Sequence, residues 1–144
     1  MHAAVIYWSG TGNTESMANL IAQGLETTGV VADVLSVSEC SPEMIDSYGL
    51  LAFGCPAMGD EELEESEFEP FFSSVIERLK GKRIALFGSY GWGDGQWMRS
   101  WEAVVAAHGI AVFEKGFIVQ DAPTADDMIE CREFGQRFSK SESN

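Results

Sequence analysis

Positive charge is scarce in this sequence of 144 residues. Nine Lys and Arg stand against 23 Asp and Glu, which gives a formal net charge of −14 at pH 7. The first Lys or Arg is Arg78, so the N-terminal half has no basic side chain except His2. A surface of this charge repels nucleic acid and anionic membranes. We therefore expect neither as a partner.

Cysteine and histidine are also scarce, and long hydrophobic runs are absent. Cys40, Cys55 and Cys131 are widely spaced and form no C-x-x-C pair, which indicates reduced thiols rather than a disulfide framework or a zinc site. His2 and His108 are isolated, and we expect no catalytic and no metal-binding residue. No run approaches the roughly 18 apolar residues of a membrane span, and no signal peptide is recognisable. We expect a cytoplasmic protein.

Strand-like apolar runs alternate with helical periods along the chain. Predicted strands occupy residues 3–8, 32–37, 49–55, 83–89 and 111–119, and predicted helices occupy residues 13–28, 42–47, 69–80, 97–108 and 124–139. This alternation is typical of an α/β fold in which helices cover both faces of a parallel sheet. We expect a single doubly wound domain over residues 1–144, with a polar tail, 139–144, that frays.

The first predicted strand leads into a loop of small residues, Ser9–Thr14, which reads SGTGNT. Its two glycines allow a sharp turn, and its hydroxyl and backbone donors at a helix N-terminus are suited to a phosphate. The loop lacks the Lys of a nucleotide-hydrolase P-loop, and Glu15 stands where a dinucleotide fingerprint needs its third glycine. By itself the loop is equally typical of an ordinary strand-to-helix turn with Asn13 or Thr14 as N-cap. A phosphate here would be held by neutral donors alone, which suits a permanently bound group.

Two further loops are expected beside the first, because ligands of doubly wound folds bind outside the carboxyl ends of the strands. The loop at 56–62 carries Met58, a polarizable apolar side chain among small and acidic residues. The loop at 89–97 alternates glycine with Tyr90, Trp92 and Trp97, which predicts rings presented to a flat ligand. Each loop also has a structural interpretation, in which Met58 enters the core and the aromatic rings fold back as hydrophobic anchors.

Seven of the ten residues from Asp60 to Glu69, here called the acidic segment, are acidic. A solvated helix start explains part of this charge, because acidic residues are favoured near the N-terminus of a helix. Phe68, Phe72 and Ile76 then follow at helical spacing. The remaining excess of charge predicts a further role.

Taken together, the three loops resemble those of short-chain flavodoxins. The matching motifs are SGTGNT at 9–14, AMGDEELEESEFEPF at 57–71 and ALFGSYGWGDG at 85–95. They occur in order on the three loops that are expected to converge, which makes the resemblance far more specific than any single motif. It implies a flavodoxin-like sheet of five parallel strands in the order 2-1-3-4-5 and noncovalently bound FMN.

The resemblance also implies which residues bind FMN. The first loop would hold the phosphate, Met58 and Trp92 would cover the two faces of the flavin, and Glu61 would offer a carboxylate to its pyrimidine edge. Asp60 and Gly91 would offer backbone N–H groups. The implied cofactor-binding residues are Ser9, Gly10, Thr11, Gly12, Asn13, Thr14, Pro56, Ala57, Met58, Gly59, Asp60, Glu61, Ser89, Tyr90, Gly91, Trp92, Gly93 and Asp121.

The resemblance implies particular roles at several positions. Pro56 replaces a serine of some relatives, so we expect only backbone contact there. Gln120 and Asp121 are assigned to the ribityl chain. The resemblance further implies that the Gly59–Asp60 peptide rotates on reduction to present a carbonyl to the flavin N5 atom.

The function that the resemblance implies is that of a low-potential one-electron carrier that cycles between the semiquinone and hydroquinone of FMN, not that of an enzyme. Its partners would be redox proteins with basic docking surfaces, and we expect a monomer. One alternative is an FMN-dependent NAD(P)H reductase of a quinone or similar acceptor, which needs an open flavin face. Another is a phosphate-dependent signalling module, which would cluster Asp residues after the first strand, where this chain has none.

Overall fold

Five parallel strands form one sheet in the computed structural model of the chain, which describes residues 2–141. The strands are β1 (His2–Tyr7), β2 (Val31–Ser36), β3 (Leu50–Gly54), β4 (Arg83–Tyr90) and β5 (Phe117–Gln120). Their order is β2-β1-β3-β4-β5, which confirms the predicted doubly wound α/β fold. The strand order reverses between β1 and β3, so the edge above these two strands is where such folds bind ligands.

Helices cover both faces of the sheet. They are α1 (Asn13–Thr27), α2 (Phe68–Val75), α3 (Gln96–Ala107) and α4 (Ala125–Ser139), with 3₁₀ segments at Val37–Glu39, Pro42–Ser47 and Ile76–Leu79. Successive residues of a strand point to opposite faces. Ala4 and Ile6 of β1 therefore pack with α2 and α3, whereas Ala3 and Val5 pack with α1 and α4.

The helices α1 and α4 pack backbone to backbone at two glycines. A Cβ atom on Gly24 would lie 2.0 Å from the carbonyl oxygen of Arg132, and one on Gly135 would lie 2.2 Å from that of Ile21. Only glycine fits at such an approach. Arg132 Nε also donates to Gln23 Oε1 at 2.9 Å. These contacts fix α1, and with it the loop that precedes α1.

The fifth strand is shorter than predicted. β5 spans Phe117–Gln120, and before it an isolated bridge joins Val112 to Ile84. Glu114 has a φ of 52°, and its carboxylate accepts two hydrogen bonds from the Arg137 guanidinium at 3.0 Å. This turn, held by α4, carries the chain out of the sheet. The predicted strand was therefore wrong over most of 111–116.

Other boundaries differ less. The predicted helix at 69–80 is α2 followed by a 3₁₀ segment, and the predicted helix at 42–47 is a 3₁₀ segment. The N–H groups of Lys140 and Ser141 donate to the carbonyls of Arg137 and Phe138, and the rest of the tail predicted to fray, 142–144, lies outside the described residues. Over residues 2–141, no helix is long and apolar enough to cross a membrane.

Candidate functional site

A cleft of about 380 Å³ opens where β1, β3 and β4 end, and all three predicted loops border it. This volume lies within the range of small-molecule sites. The lining residues are Trp8, Gly10, Thr11, Asn13, Pro56, Ala57, Met58, Gly59, Ser89, Tyr90, Gly91 and Asp121. All of them except Trp8 belong to the set that the resemblance implied.

The loop after β1 turns into α1 at Gly12, which has a φ of 97°. This conformation favours glycine. The Ser9 hydroxyl accepts from the N–H groups of Gly12 at 3.1 Å and Glu15 at 3.3 Å, so it stabilises the turn from outside the cleft lining. Gly12 is therefore the N-cap, and the alternative with Asn13 or Thr14 as N-cap was wrong. The first N–H groups of a helix have no partner within it, and here they border the cleft at Asn13.

A hydroxyl pair supports the base of the cleft. Thr14 is 1% exposed and Ser89 is 4% exposed, and their side-chain oxygens lie 2.8 Å apart. Ser89 lines the cleft, whereas Thr14 lies behind it. The pair joins the first loop to the third.

Residues of the loop after β3 line two different cavities. Met58 and Gly59 line the cleft, whereas Asp60 and Glu61 line a neighbouring groove between α2 and α3. The turn is closed by the Glu61 N–H, which donates to the Met58 carbonyl at 2.9 Å, and Glu61 has a φ of 61°. Both carboxylate oxygens of Glu61 are buried without a hydrogen-bond partner among the described residues. A Cβ atom on Gly93 would lie 1.9 Å from one of them, so this carboxylate closes against the third loop.

The aromatic residues of the loop after β4 have different positions. Tyr90 lines the cleft, and its ring centroid lies 5.5 Å from that of Trp97. Trp97 is 1% exposed and its Nε1–H donates to the Cys55 carbonyl at 3.1 Å, so this ring does fold back as an anchor. Trp92 is 62% exposed and does not line the cleft.

Asp121 follows β5 and lines the cleft. Its φ is 60°, and its N–H donates to the Tyr90 carbonyl at 2.8 Å. Gln120 does not line the cleft, but its side-chain amide donates to the Gly91 carbonyl at 3.2 Å. Both residues therefore hold the third loop in place.

Trp8 is the lining residue that the sequence did not reveal. Its Nε1–H donates to Glu67 Oε1 at 3.2 Å, which joins the end of β1 to the acidic segment. A Cβ atom on Gly10 would lie 3.2 Å from its ring, so the first loop packs closely on Trp8. The available signal was its position directly before Ser9, at the carboxyl end of a strand.

Glu64 anchors the acidic segment to α2. Its carboxylate is 5% exposed and accepts from the N–H groups of Ser66, Glu67 and Phe68, each at 2.8 Å, and from the Ser66 hydroxyl. Burial alone would raise the pKa of Glu64, but these donors lower it to about 2. The carboxylate is thus a buried anion that holds the start of α2.

The cleft holds little charge. Asp121 is the one ionisable carboxylate among its lining residues, and no Lys, Arg or His lines it. A phosphate group would therefore meet neutral donors at the first turn of α1, and a flat ring would meet the side chains of Met58, Tyr90 and Trp8. These side chains and donors fit a phosphorylated flavin. Among the described residues, no cluster of His, Cys, Asp and Glu could hold a metal ion.

Comparisons with known proteins agree with this geometry. The family model described as Flavodoxin matches residues 5–135. The chain is 47% identical over 135 residues to flavodoxin of Clostridium beijerinckii, which covers 94% of this chain and 97% of that protein. It is 42% identical over 137 residues to flavodoxin of Megasphaera elsdenii, with 95% and 98% covered. The solution structure of two-electron reduced Megasphaera elsdenii flavodoxin aligns with a TM-score of 0.88 at 41% identity, over 96% of this chain and 99% of that one.

Proposed function

This chain belongs to the flavodoxin family, whose members bind FMN and carry electrons rather than turn over a substrate, and we propose that it is a low-potential one-electron carrier. When bound, FMN supplies the redox chemistry by cycling between its semiquinone and hydroquinone. The observation that carries the proposal is the cleft at the strand-order switch, which no Lys, Arg or His lines, with helix N–H donors at one end and Met58 and Tyr90 beyond them.

The first loop binds the FMN phosphate. Its backbone N–H groups and the hydroxyl and amide of Thr11 and Asn13 supply the donors, and the partial positive charge of the α1 N-terminus adds to them. Ser9 and Thr14 keep the loop in shape from behind, through their bonds to Gly12 and Ser89. Because no basic side chain contributes, the phosphate is a fixed anchor rather than a reacting group.

The second and third loops bind the isoalloxazine ring. Met58 would pack on one face. Trp92, which does not line the cleft in the structure, would cover the other face after a movement of its loop that Gly91 and Gly93 allow. The Glu61 carboxylate, buried and unpaired, accepts from the pyrimidine edge of the ring. The carboxylates of the acidic segment oppose a second negative charge nearby, which keeps the potential low.

The acidic segment also indicates the partners. Its carboxylates favour proteins with basic docking surfaces, and the net charge of −14 on the whole chain opposes self-association, so the protein acts as a monomer. As a carrier for such partners, it acts in the cytoplasm. The NAD(P)H reductase is not favoured, because that activity needs an open flavin face, and Met58 and Trp92 would cover both faces.

Reductive titration of the FMN-reconstituted protein tests the proposal. We expect FMN to bind more tightly than riboflavin and FAD to bind poorly, and stepwise addition of dithionite to give a blue intermediate before full reduction. Bleaching straight from yellow to colourless would contradict one-electron cycling. Unaided oxidation of NADPH by the same sample would instead support the reductase.

A further inference from the structure

A groove of about 760 Å³, separate from the cleft, runs between α2 and α3. One wall comes from α3, where Gln96, Trp97, Ser100, Trp101, Val104 and His108 recur at helical spacing. The other wall comes from Phe72, Ser73 and Ile76, at the end of α2 and the start of the following 3₁₀ segment. From Gln96 to His108 the groove is about 18 Å long, at 1.5 Å per helical residue.

The floor of this α2–α3 groove is apolar and carries an unsatisfied donor. Phe72, Ile76, Trp97 and Trp101 are at most 5% exposed, whereas Val104 on the rim is 51% exposed. The indole N–H of Trp101 is buried without a hydrogen-bond partner among the described residues. Buried polar groups are normally hydrogen-bonded, so this unpaired donor indicates that the floor of the groove lacks a hydrogen-bond acceptor.

Charge is unevenly distributed along the groove. Asp60, Glu61, Glu62, Glu65 and Glu69 line one end. At the opposite end His108 is paired with Glu77 at 3.0 Å. Beside the acidic end, Arg99 is paired with Asp94 at 2.9 Å and also donates to Gln96. Because the Glu61 carboxylate is buried against Gly93, the four carboxylates of Asp60, Glu62, Glu65 and Glu69 are left to face an incoming cation.

We propose that the α2–α3 groove docks a segment of a redox partner protein that carries apolar anchor residues next to Lys or Arg. The apolar anchors lie on Trp101 and Val104, and the basic residues lie at the acidic end. An open groove about 18 Å long accommodates five or six extended residues at about 3.3 Å each. The inference rests on the proposed function, because it assigns the carrier's partner to a surface beside the cofactor cleft.

The chain offers matched control positions for a test. Val104 lies on α3 and Ile129 lies on α4, on the opposite face of the sheet, with 51% and 53% exposure. Glu65 and Glu69 border the groove, whereas Glu130 and Glu133 are exposed on α4. None of these residues lines the cofactor cleft.

The experiment is an NMR titration of the FMN-loaded, ¹⁵N-labelled protein with a blocked peptide, Lys-Lys-Leu-Phe-Ala-Leu, up to about 1 mM. We expect shifts of the Trp101 indole and of α3 amides around Val104. Val104→Asp should weaken binding about tenfold or more, whereas Ile129→Asp should change it less than about twofold. Glu65→Gln with Glu69→Gln should weaken binding about three- to tenfold at low salt, and Glu130→Gln with Glu133→Gln should not.

Three results would overturn the inference. The first is equal binding of a peptide in which Ser replaces Leu and Phe, or in which Glu replaces Lys. The second is the absence of shifts in the groove when peptide is added. The third is a change in the groove resonances when the protein is diluted without peptide, which would assign the groove to a second copy of the chain. Because the sample is already loaded with FMN, each of these results leaves the carrier function standing, whereas failure to load FMN would count against the carrier itself.

Discussion

Trp92 lies between two glycines and is 62% exposed. Exposing an indole ring to water in this way is energetically unfavourable unless a ligand covers it. We expect Trp92→Ala to weaken FMN binding by about 1–3 kcal/mol, the range found for aromatic stacking on bases, and to restore part of the flavin fluorescence. Trp92→Phe keeps a ring and should lose less. Normal affinity with full quenching in the alanine variant would assign the stacking to Tyr90 instead.

Thr14 acts on the cleft through Ser89. Thr14→Val removes one member of the hydroxyl pair and leaves the buried Ser89 oxygen without its partner at 2.8 Å. We expect the Kd for FMN to rise about tenfold, because the hydrogen bond that holds the first loop in its phosphate-binding conformation, worth about 1 kcal/mol, is lost. Riboflavin, which has no phosphate, should lose less, and Thr14→Ser should behave as wild type in equilibrium dialysis. Equal losses for the two ligands would place Thr14 away from the phosphate.

At Gly59, a substitution tests the effect of backbone conformation without creating a steric overlap. A Cβ atom there would meet nothing within 4 Å, so Gly59→Ala should fold and bind oxidised FMN as wild type does. A rotated peptide with positive φ would cost the alanine about 1–2 kcal/mol, which destabilises the semiquinone by about 40–90 mV in a potentiometric titration. Gly49→Ala is the control, because it also has open space but lies before β3, far from the cleft. An unchanged first potential in Gly59→Ala would exclude the peptide rotation.

At the scale of single elements, the stability of helix α2 depends on the buried Glu64 carboxylate. Its pKa is about 2 when folded and 4.5 when exposed, so the unfolded state binds more protons and stability falls as the pH drops from about 5 to 2. The shift corresponds to about 3 kcal/mol. We expect Glu64→Gln to unfold at lower urea at pH 7 and to lose less stability than wild type between pH 7 and pH 3. Glu65→Gln, at an exposed neighbour, should keep the wild-type pH dependence.

The elements themselves were largely predictable, because apolar strands and helical periods are local patterns. The central strands β1, β3 and β4 were found within about two residues of their ends. The error at β5 arose because Ala111, Val112 and Phe113 are strand-like, whereas the turn at Glu114 depends on Arg137, which is distant in sequence.

Contacts between residues distant in sequence also limited the prediction of the candidate site. The three loops and most of the cleft lining follow from motifs, but the outward side chain of Trp92 and the closure of Glu61 on Gly93 depend on contacts between loops.

At the scale of the whole molecule, the charge of −14 should govern encounters with partners. The Debye length falls from about 30 Å at 0.01 M to about 8 Å at 0.15 M ionic strength, so long-range attraction to a basic protein is lost over this range. We expect stopped-flow electron transfer to a cationic partner to slow steeply as salt rises. A small neutral oxidant provides the control and should show little change. A rate to the cationic partner that is independent of salt would exclude electrostatic steering.

The glycine contact between α1 and α4 has a consequence for the order of assembly. Gly24 meets Arg132 across 108 positions of the sequence, so the helix that begins at the phosphate-binding loop gains its backbone partner only from α4. Contacts of such long sequence separation form slowly and late. During synthesis, the N-terminal loop therefore exists long before α4 leaves the ribosome to hold it. Stable cofactor capture is thus deferred until α4 has been synthesised, and a chain that stops before α4 would compete poorly for FMN.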